Sequence, residues 1–325
     1  MKLTPCAVPV LVLALLAASL AVKVESAGKV PRIGVLYPGG SVPLSPRMEA
    51  FRQGLQGYGY VEGTNIAIEI RYADGRTDRL PKLAADLVQR DVRVIATSGD
   101  LATRVVQQAT TTIPIVAFTD DLVGAGLVAS LARPGGNTTG ISILSPKLNV
   151  KRLEFLKEVA PTISRVAVLW DPATGAAQLK EMEVGARSLA IQLRILEVRG
   201  LDDLESAFQI ANKERAEALN VMASPLLASL NQKIIDLAAK SRLPAIYQWG
   251  EHAEAGGLMS YGPILLETWR QTGLLVGRVL KGAKPADLPV EQPMRFELVI
   301  NLKTAQTMDL TIPPTLLFQA DKVIR

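Results

Sequence analysis

Two stretches of the chain share one pattern: Arg32-Ile-Gly-Val-Leu-Tyr-Pro38 and Arg165-Val-Ala-Val-Leu-Trp-Asp-Pro172. Each is a basic residue, four apolar or small residues and an aromatic, with proline closing the run. A continuous aliphatic run bounded by a turn former reads as a strand buried on both faces, as in a parallel sheet. Outward from the first copy, β-rich runs follow at Asn65–Tyr72, Val92–Thr97 and Pro114–Thr119. Between them, at Pro46–Gly57, Asp78–Arg90 and Asp100–Ala109, apolar residues recur at three and four, the helical spacing. This alternation predicts βαβ units on a parallel sheet. A further helix is expected from about Val123 to Arg133, stopped by Pro134-Gly135-Gly136, and then a strand at Asn137–Ile143.

The second copy opens the same grammar again. Helices are predicted at Ala176–Ala190, Asp202–Arg215 and Leu226–Lys240, and strands at Leu193–Val198, Ala218–Ala223 and Ala245–Trp249. Beyond residue 250 come a strand in Gly256–Gly262, a long helix at Ile264–Leu280, a Pro-rich loop at Gly282–Pro293, a strand at Phe296–Asn301 and a short helix at Leu302–Met308. These last elements are too few for a third domain and must pack on an existing lobe. The expected fold class is therefore α/β, two Rossmann-like lobes with parallel-sheet cores joined by a multi-strand hinge. The first lobe takes 30–142 plus 263–284 and the second 143–262 plus 285–325. A chain that crosses repeatedly between lobes suits closure around a ligand.

Composition narrows the chemistry. The 325 residues are 48% hydrophobic and 21% charged, enough for a large core and unlike a disordered chain. There is one cysteine, Cys6, and one histidine, His252, so neither a disulfide nor a structural zinc site can be built within the chain. No metal or cofactor is expected. The formal charge of +5 is spread without a basic block, so no nucleic-acid partner is expected. At the N-terminus, Lys2 precedes an apolar run from Val10 to Val22, too short to span a bilayer but matching the core of a secretory signal over residues 1–27. Cys6 precedes that run, where a lipoprotein cysteine would follow it. The mature chain would then be cysteine-free, which fits a bacterial periplasm.

In open parallel sheets ligands bind beyond the carboxyl ends of strands, where helix N-termini present backbone N–H groups. Those ends are Tyr37-Pro-Gly-Gly40-Ser41, Thr97-Ser98-Gly99-Asp100, Thr119-Asp120-Asp121, Trp170-Asp171-Pro172, Ser224-Pro225 and Tyr247-Gln-Trp249-Gly-Glu251. Ser41, Ser98 and Ser224, with nearby backbone such as Gly40 and Gly99, can hold an anionic group. Asp120 or Asp171 can hold an amine, and Tyr37, Trp170, Tyr247 and Trp249 can surround an apolar part. For each hydroxyl the competing reading is an N-cap, and for the aspartates a turn cap.

Enzyme-like matches fail on inspection. Gly124-Ala-Gly126-Leu-Val-Ala129 fits a dinucleotide fingerprint, yet no acid stands between Ala125 and Leu153 to hold a ribose. Gly140-Ile-Ser142 begins like a nucleophile elbow, but Leu144 replaces its second glycine, and a triad would rest on His252, expected to be a solvated loop residue. Asp120 and Asp121 are adjacent, which does not establish a glycosidase pair. An exported hydrolase or a ligand-sensing domain is the alternative function.

The segments Arg32–Pro38, Asp120–Gly140 (DDLVGAGLVASLARPGGNTTG), Gly256–Gly262 (GGLMSYG) and Phe296–Pro314 (FELVINLKTAQTMDLTIPP) resemble the bacterial ABC-transporter substrate-binding proteins that include tryptophan- and tyrosine-binding members. The resemblance runs from about Val30 to Ile324. It implies a type I periplasmic binding fold, a monomer with a small-molecule ligand such as an amino acid or aromatic carboxylate in the cleft, and delivery to an inner-membrane ABC permease and its ATPase subunit. The chain departs from the family pattern at Asp121, where proline usually follows the aspartate, and at Asp309, where glycine is usual.

Overall fold

The computed structural model describes residues 30–143 and 145–325, so the segment read as an export signal lies outside the described residues. The first lobe contains β1 (Arg32–Tyr37), α1 (Ser41–Gln56), β2 (Ala67–Tyr72), α2 (Leu80–Gln89), β3 (Val94–Ser98), α3 (Asp100–Ala109), β4 (Ile115–Thr119) and β5 (Thr138–Ser142). Its five parallel strands lie in the order β2-β1-β3-β4-β5. The strands read from sequence as continuous aliphatic runs are buried along their length, as a sheet covered on both faces requires.

The second lobe follows the same winding. It holds α4 (Ser145–Val159), β6 (Arg165–Trp170), α5 (Ala177–Ser188), β7 (Gln192–Glu197), α6 (Leu201–Lys213), β8 (Ala218–Val221), α7 (Pro225–Ser229), α8 (Asn231–Lys240), β9 (Ala245–Tyr247), α9 (Gly250–Glu254) and β10 (Met259–Pro263). After α10 (Leu265–Leu280) the chain adds β11 (Phe296–Asn301), α11 (Leu302–Thr307), α12 (Pro314–Gln319) and β12 (Lys322–Ile324). The sheet order is β12-β11-β10-β9-β8-β6-β7, with only the β10–β11 pair antiparallel. Strands β7-β6-β8-β9-β10 thus repeat the order of the first sheet, and the repeat seen at Arg32 and Arg165 marks the equivalent strands β1 and β6.

Helix α10 leaves the second sheet and packs on α1, with Trp269, Leu275, Val276 and Val279 in the core that holds Ile33, Val35 and Phe51. Two glycines permit this approach. A Cβ at Gly54 would stand 2.1 Å from the Arg270 carbonyl oxygen, and one at Gly273 would stand 2.1 Å from that of Phe51.

The structure corrects three expectations. Residues 121–136 form turns, not a helix, because the Asp121 carboxylate accepts from the Gly124 N–H and Gly126, Gly135 and Gly136 take positive φ. Leu122, Leu127 and Val128 are buried there against Ala117 and Val290. The helix expected over Leu226–Lys240 is two, α7 and α8, broken at Leu230. Finally, the last crossing between lobes falls after Glu291 and not at 284. Leu288 lies in the first lobe's core, the Thr139 hydroxyl donates to the Leu288 carbonyl, and Glu291 bridges to Ile141 of β5. At Asp309 φ is +57°, a left-handed turn that explains why glycine suits the position.

Candidate functional site

Both sheets reverse their strand order at the first strand, between β1 and β3 and between β6 and β8, and the carboxyl ends at these switch points face each other. Between them lies a cavity of about 40 Å³. The first lobe supplies Tyr37 at the end of β1, Ser98 and Gly99 at the start of α3, and Phe118, Thr119 and Asp120 at the end of β4. The second supplies Ser224 and Pro225 at the start of α7, and Gln248 and Trp249 after β9. Arg47 of α1 completes one end.

The lobes touch across the cavity. A Cβ at Gly99 would stand 3.0 Å from Pro225. Arg47 of the first lobe pairs with Glu251 of the second and donates from its other Nη to the Tyr37 hydroxyl at 2.5 Å. Burial raises the Tyr37 pKa, and the Arg47 charge opposes that shift. Gln178 of α5 donates to the Asp120 carboxylate at 2.7 Å. The structure is therefore a closed form.

Two cavity-lining side chains carry buried polar atoms with no hydrogen-bond partner among the described residues, Arg47 Nε and Gln248 Oε1, while the Thr119 hydroxyl pairs with the Asp100 carboxyl. Leaving such an atom unpaired costs about 1–3 kcal/mol, so a polar ligand that pairs with them recovers that cost. The aromatic wall is Phe118 against Trp249, ring centroids 6.1 Å apart, backed by Trp269 at 6.0 Å from Phe118 and 6.2 Å from Tyr37. Asp100, the first residue of α3, has its carboxyl pushed up to about 8 by burial and by the neighbouring Asp120 and Asp121. The edge beyond Asp120 is thus already crowded with negative charge and favours a cationic group.

Of the residues expected from sequence, Tyr37, Ser98, Gly99, Thr119, Asp120, Ser224 and Trp249 come together on this cavity. Gly40, Ser41, Trp170, Asp171 and Tyr247 do not line it. Gly40 is the N-cap of α1 and Ser41 is exposed. Tyr37 and Trp170 cannot sandwich a ligand, since Tyr37 sits in the first lobe's core while Trp170 packs at the second lobe's core and donates from Nε1 to the Gly175 carbonyl. Asp171 accepts from the Ala173 N–H and from the Ser224 hydroxyl at 2.6 Å, and Ser224 caps α7. Tyr247 is buried in another cluster of the second lobe. His252 is not solvated: it lies in α9, 2% exposed, its pKa lowered to about 3 by burial and by Arg47 and Arg152.

Arg47, Gln248 and Phe118 escaped the sequence reading because it followed hydroxyls, acids and aromatics beyond strand ends. A signal existed for Arg47, which stands four residues before Phe51 and eight before Leu55, on the inward stripe of its helix.

Two parallel-sheet lobes closing a polar and aromatic cavity between their switch points define a two-lobed solute-binding protein. The model of the family described as ABC transporter substrate binding protein matches residues 43–324, and the chain belongs to that family. A tyrosine-binding protein of Clostridioides difficile (strain R20291) is 25% identical over 272 residues, 82% of this chain and 77% of that one. The structure of a conserved domain protein from Vibrio cholerae O1 biovar El Tor is similar at TM-score 0.85 and 27% identity, covering 91% of this chain and all of that one. An ABC domain from Streptococcus pneumoniae in complex with L-Trp is similar at TM-score 0.84 and 26% identity, with the same coverage. Among the described residues no helix is long and apolar enough to cross a membrane.

Proposed function

We propose that this protein is the exported, periplasmic solute-binding component of an ABC importer. It captures an amino acid with an aromatic side chain between its lobes and delivers it to an inner-membrane permease and its ATPase subunit, acting as a monomer without catalysis. The observation that carries the reading is the pair of unpartnered buried polar atoms on Arg47 and Gln248 around a cavity walled by Phe118 and Trp249. The ligand's carboxylate meets the unpartnered Arg47 Nε, with Ser98 and Ser224 lining the same cavity. Its ammonium meets Thr119 and Asp120, and its ring lies by Tyr37, Phe118 and Trp249. The tyrosine-binding relative and the L-Trp complex support this ligand class. The closed cavity of about 40 Å³ is smaller than the roughly 150 Å³ that holds benzene, so the ring enters with the lobes apart and the walls re-form on it. The moving bodies are 30–142 with 264–291, and 143–263 with the remainder.

A thermal-shift screen on protein refolded to strip carried-over ligand tests this. L-Tryptophan or L-tyrosine at a hundredfold over its Kd adds ~2.7 kcal/mol, raising the midpoint by roughly 4 °C for a chain of this size. A midpoint moved by sugars or nucleosides and by no amino acid or aromatic carboxylate would defeat the reading.

A further inference from the structure

Behind the cavity a line of polar side chains runs through the second lobe. Arg152 and Asn149 of α4 are 0% exposed and Gln178 of α5 is 2% exposed. Arg152 donates from Nε to the Tyr261 carbonyl of β10 at 2.8 Å and from Nη1 to Asn149 Oδ1 at 2.6 Å. Asn149 donates from Nδ2 to Gln178 Oε1 at 3.2 Å. Gln178 then donates from Nε2 to Asp120 Oδ2, across the cleft, at 2.7 Å.

The direction of this chain is set at both ends. A guanidinium only donates, so Asn149 must turn its oxygen toward Arg152 and its NH₂ toward Gln178. Gln178 must then answer with its oxygen, which leaves its own NH₂ facing the cleft. At the other end the Asp120 carboxylate only accepts, so both ends of the chain impose the same orientation on the two amides. Burial lowers the Arg152 pKa only to about 10, so the donating end stays charged at neutral pH.

We infer that Gln178 is the positioning residue of the closed binding site, a hydrogen-bond donor that Arg152 aims through Asn149 at Asp120 of the opposite lobe. The donor is neutral, so Gln178 orients Asp120 for a ligand's ammonium without itself adding a positive charge in contact with the carboxylate, as a lysine there would; the Arg152 charge acts on Asp120 only from behind the two amides. This last consequence rests on the amino-acid reading above, whereas the clasp itself rests on the contacts alone.

Small-angle scattering on the purified protein tests the clasp with isosteric changes. Gln178→Glu sets two carboxylates face to face and should shift the radius of gyration to a larger value than wild type. Adding Asp120→Asn to it should restore the wild-type radius, because the introduced asparagine donates to the introduced glutamate, whose other oxygen still accepts from Asn149. Side-chain volume is constant across the set, so a packing role alone would move none of the curves. The proposal is overturned if Gln178→Glu is as compact as wild type, if wild type is already as expanded as Gln178→Glu, or if the double variant stays expanded. A failed ligand screen with this rescue intact would remove the amino-acid reading and leave the clasp standing.

Discussion

Arg47 illustrates how much one side chain from a helix contributes to a site built on strand ends. The residue is 4% exposed, and its guanidinium holds the Tyr37 hydroxyl in its own lobe and pairs with Glu251 in the other. Removing one partner of a buried polar pair is costly because the other is left unsatisfied. Glu251 is partly exposed and can regain water, while Tyr37, 1% exposed, cannot. Arg47→Met should therefore lower the unfolding free energy by about 1–3 kcal/mol, chiefly through the orphaned hydroxyl. Tyr37→Phe, which leaves the ion pair in place, should cost about 1 kcal/mol. In the double variant the losses should fall short of their sum, because the two residues share one contact. Urea unfolding of the three variants checks this, and strict additivity would contradict the coupling.

At the scale of elements, the crossing of α1 and α10 ties residues 265–280 to a lobe that the chain had left at residue 143. With backbone oxygens 2.1 Å from where a Cβ would stand, Gly54→Ala must push the helices apart. Overpacking typically costs about 1–3 kcal/mol, against a gain in helix propensity of about 1 kcal/mol; with backbone atoms as the obstacle the upper end of the cost applies, and a net loss of up to about 2 kcal/mol is expected. Gly200→Ser, at an N-cap with nothing within 4 Å of a new Cβ, should be near neutral in the same urea titration. Most elements were legible in the sequence because buried strands and amphipathic helices carry different periods. The failures have local causes. Leu122, Leu127, Val128 and Leu131 have helix-like spacing, yet three glycines with positive φ fold that stretch into turns. Helix α4 was not foreseen, and its inward face explains why: Asn149 and Arg152 share that face with Leu148, Leu153 and Leu156, so the apolar stripe is interrupted. The strand-end rule located Tyr37, Ser98, Thr119 and Ser224 at the cavity. It could not tell that Asp171 caps a turn or that Gln178 reaches across, since both follow from side-chain direction in the assembled lobes.

For the molecule as a whole, two buried titratable groups shape stability against pH, and they pull in opposite directions. The Asp100 carboxyl is raised from 3.8 to about 8, so between those values the folded chain holds a proton that the unfolded chain has lost. That contribution is complete below pH 3.8 and disappears as pH rises through 8. His252 is lowered from 6.5 to about 3, so between those values the unfolded chain holds the extra proton. Its contribution is complete above pH 6.5 and disappears as pH falls toward 3. Each proton corresponds to a slope of ~1.4 kcal/mol per pH unit. From about pH 4 to 6.5 the two slopes cancel and stability should be nearly flat. From 6.5 to 8 only Asp100 acts, and stability should fall as pH rises. Asp171 and Glu297, also raised by burial, act in the same direction as Asp100. Replacing Asp100→Asn should remove the alkaline fall and expose the His252 slope, so that stability climbs from pH 4 to 6.5 and then levels. Urea unfolding at half-unit steps from pH 3.5 to 8.5 distinguishes the profiles. A wild-type curve that stays level through pH 8 would show that Asp100 ionises freely in the folded chain, and an Asp100→Asn curve that still falls there would show that another group holds the proton.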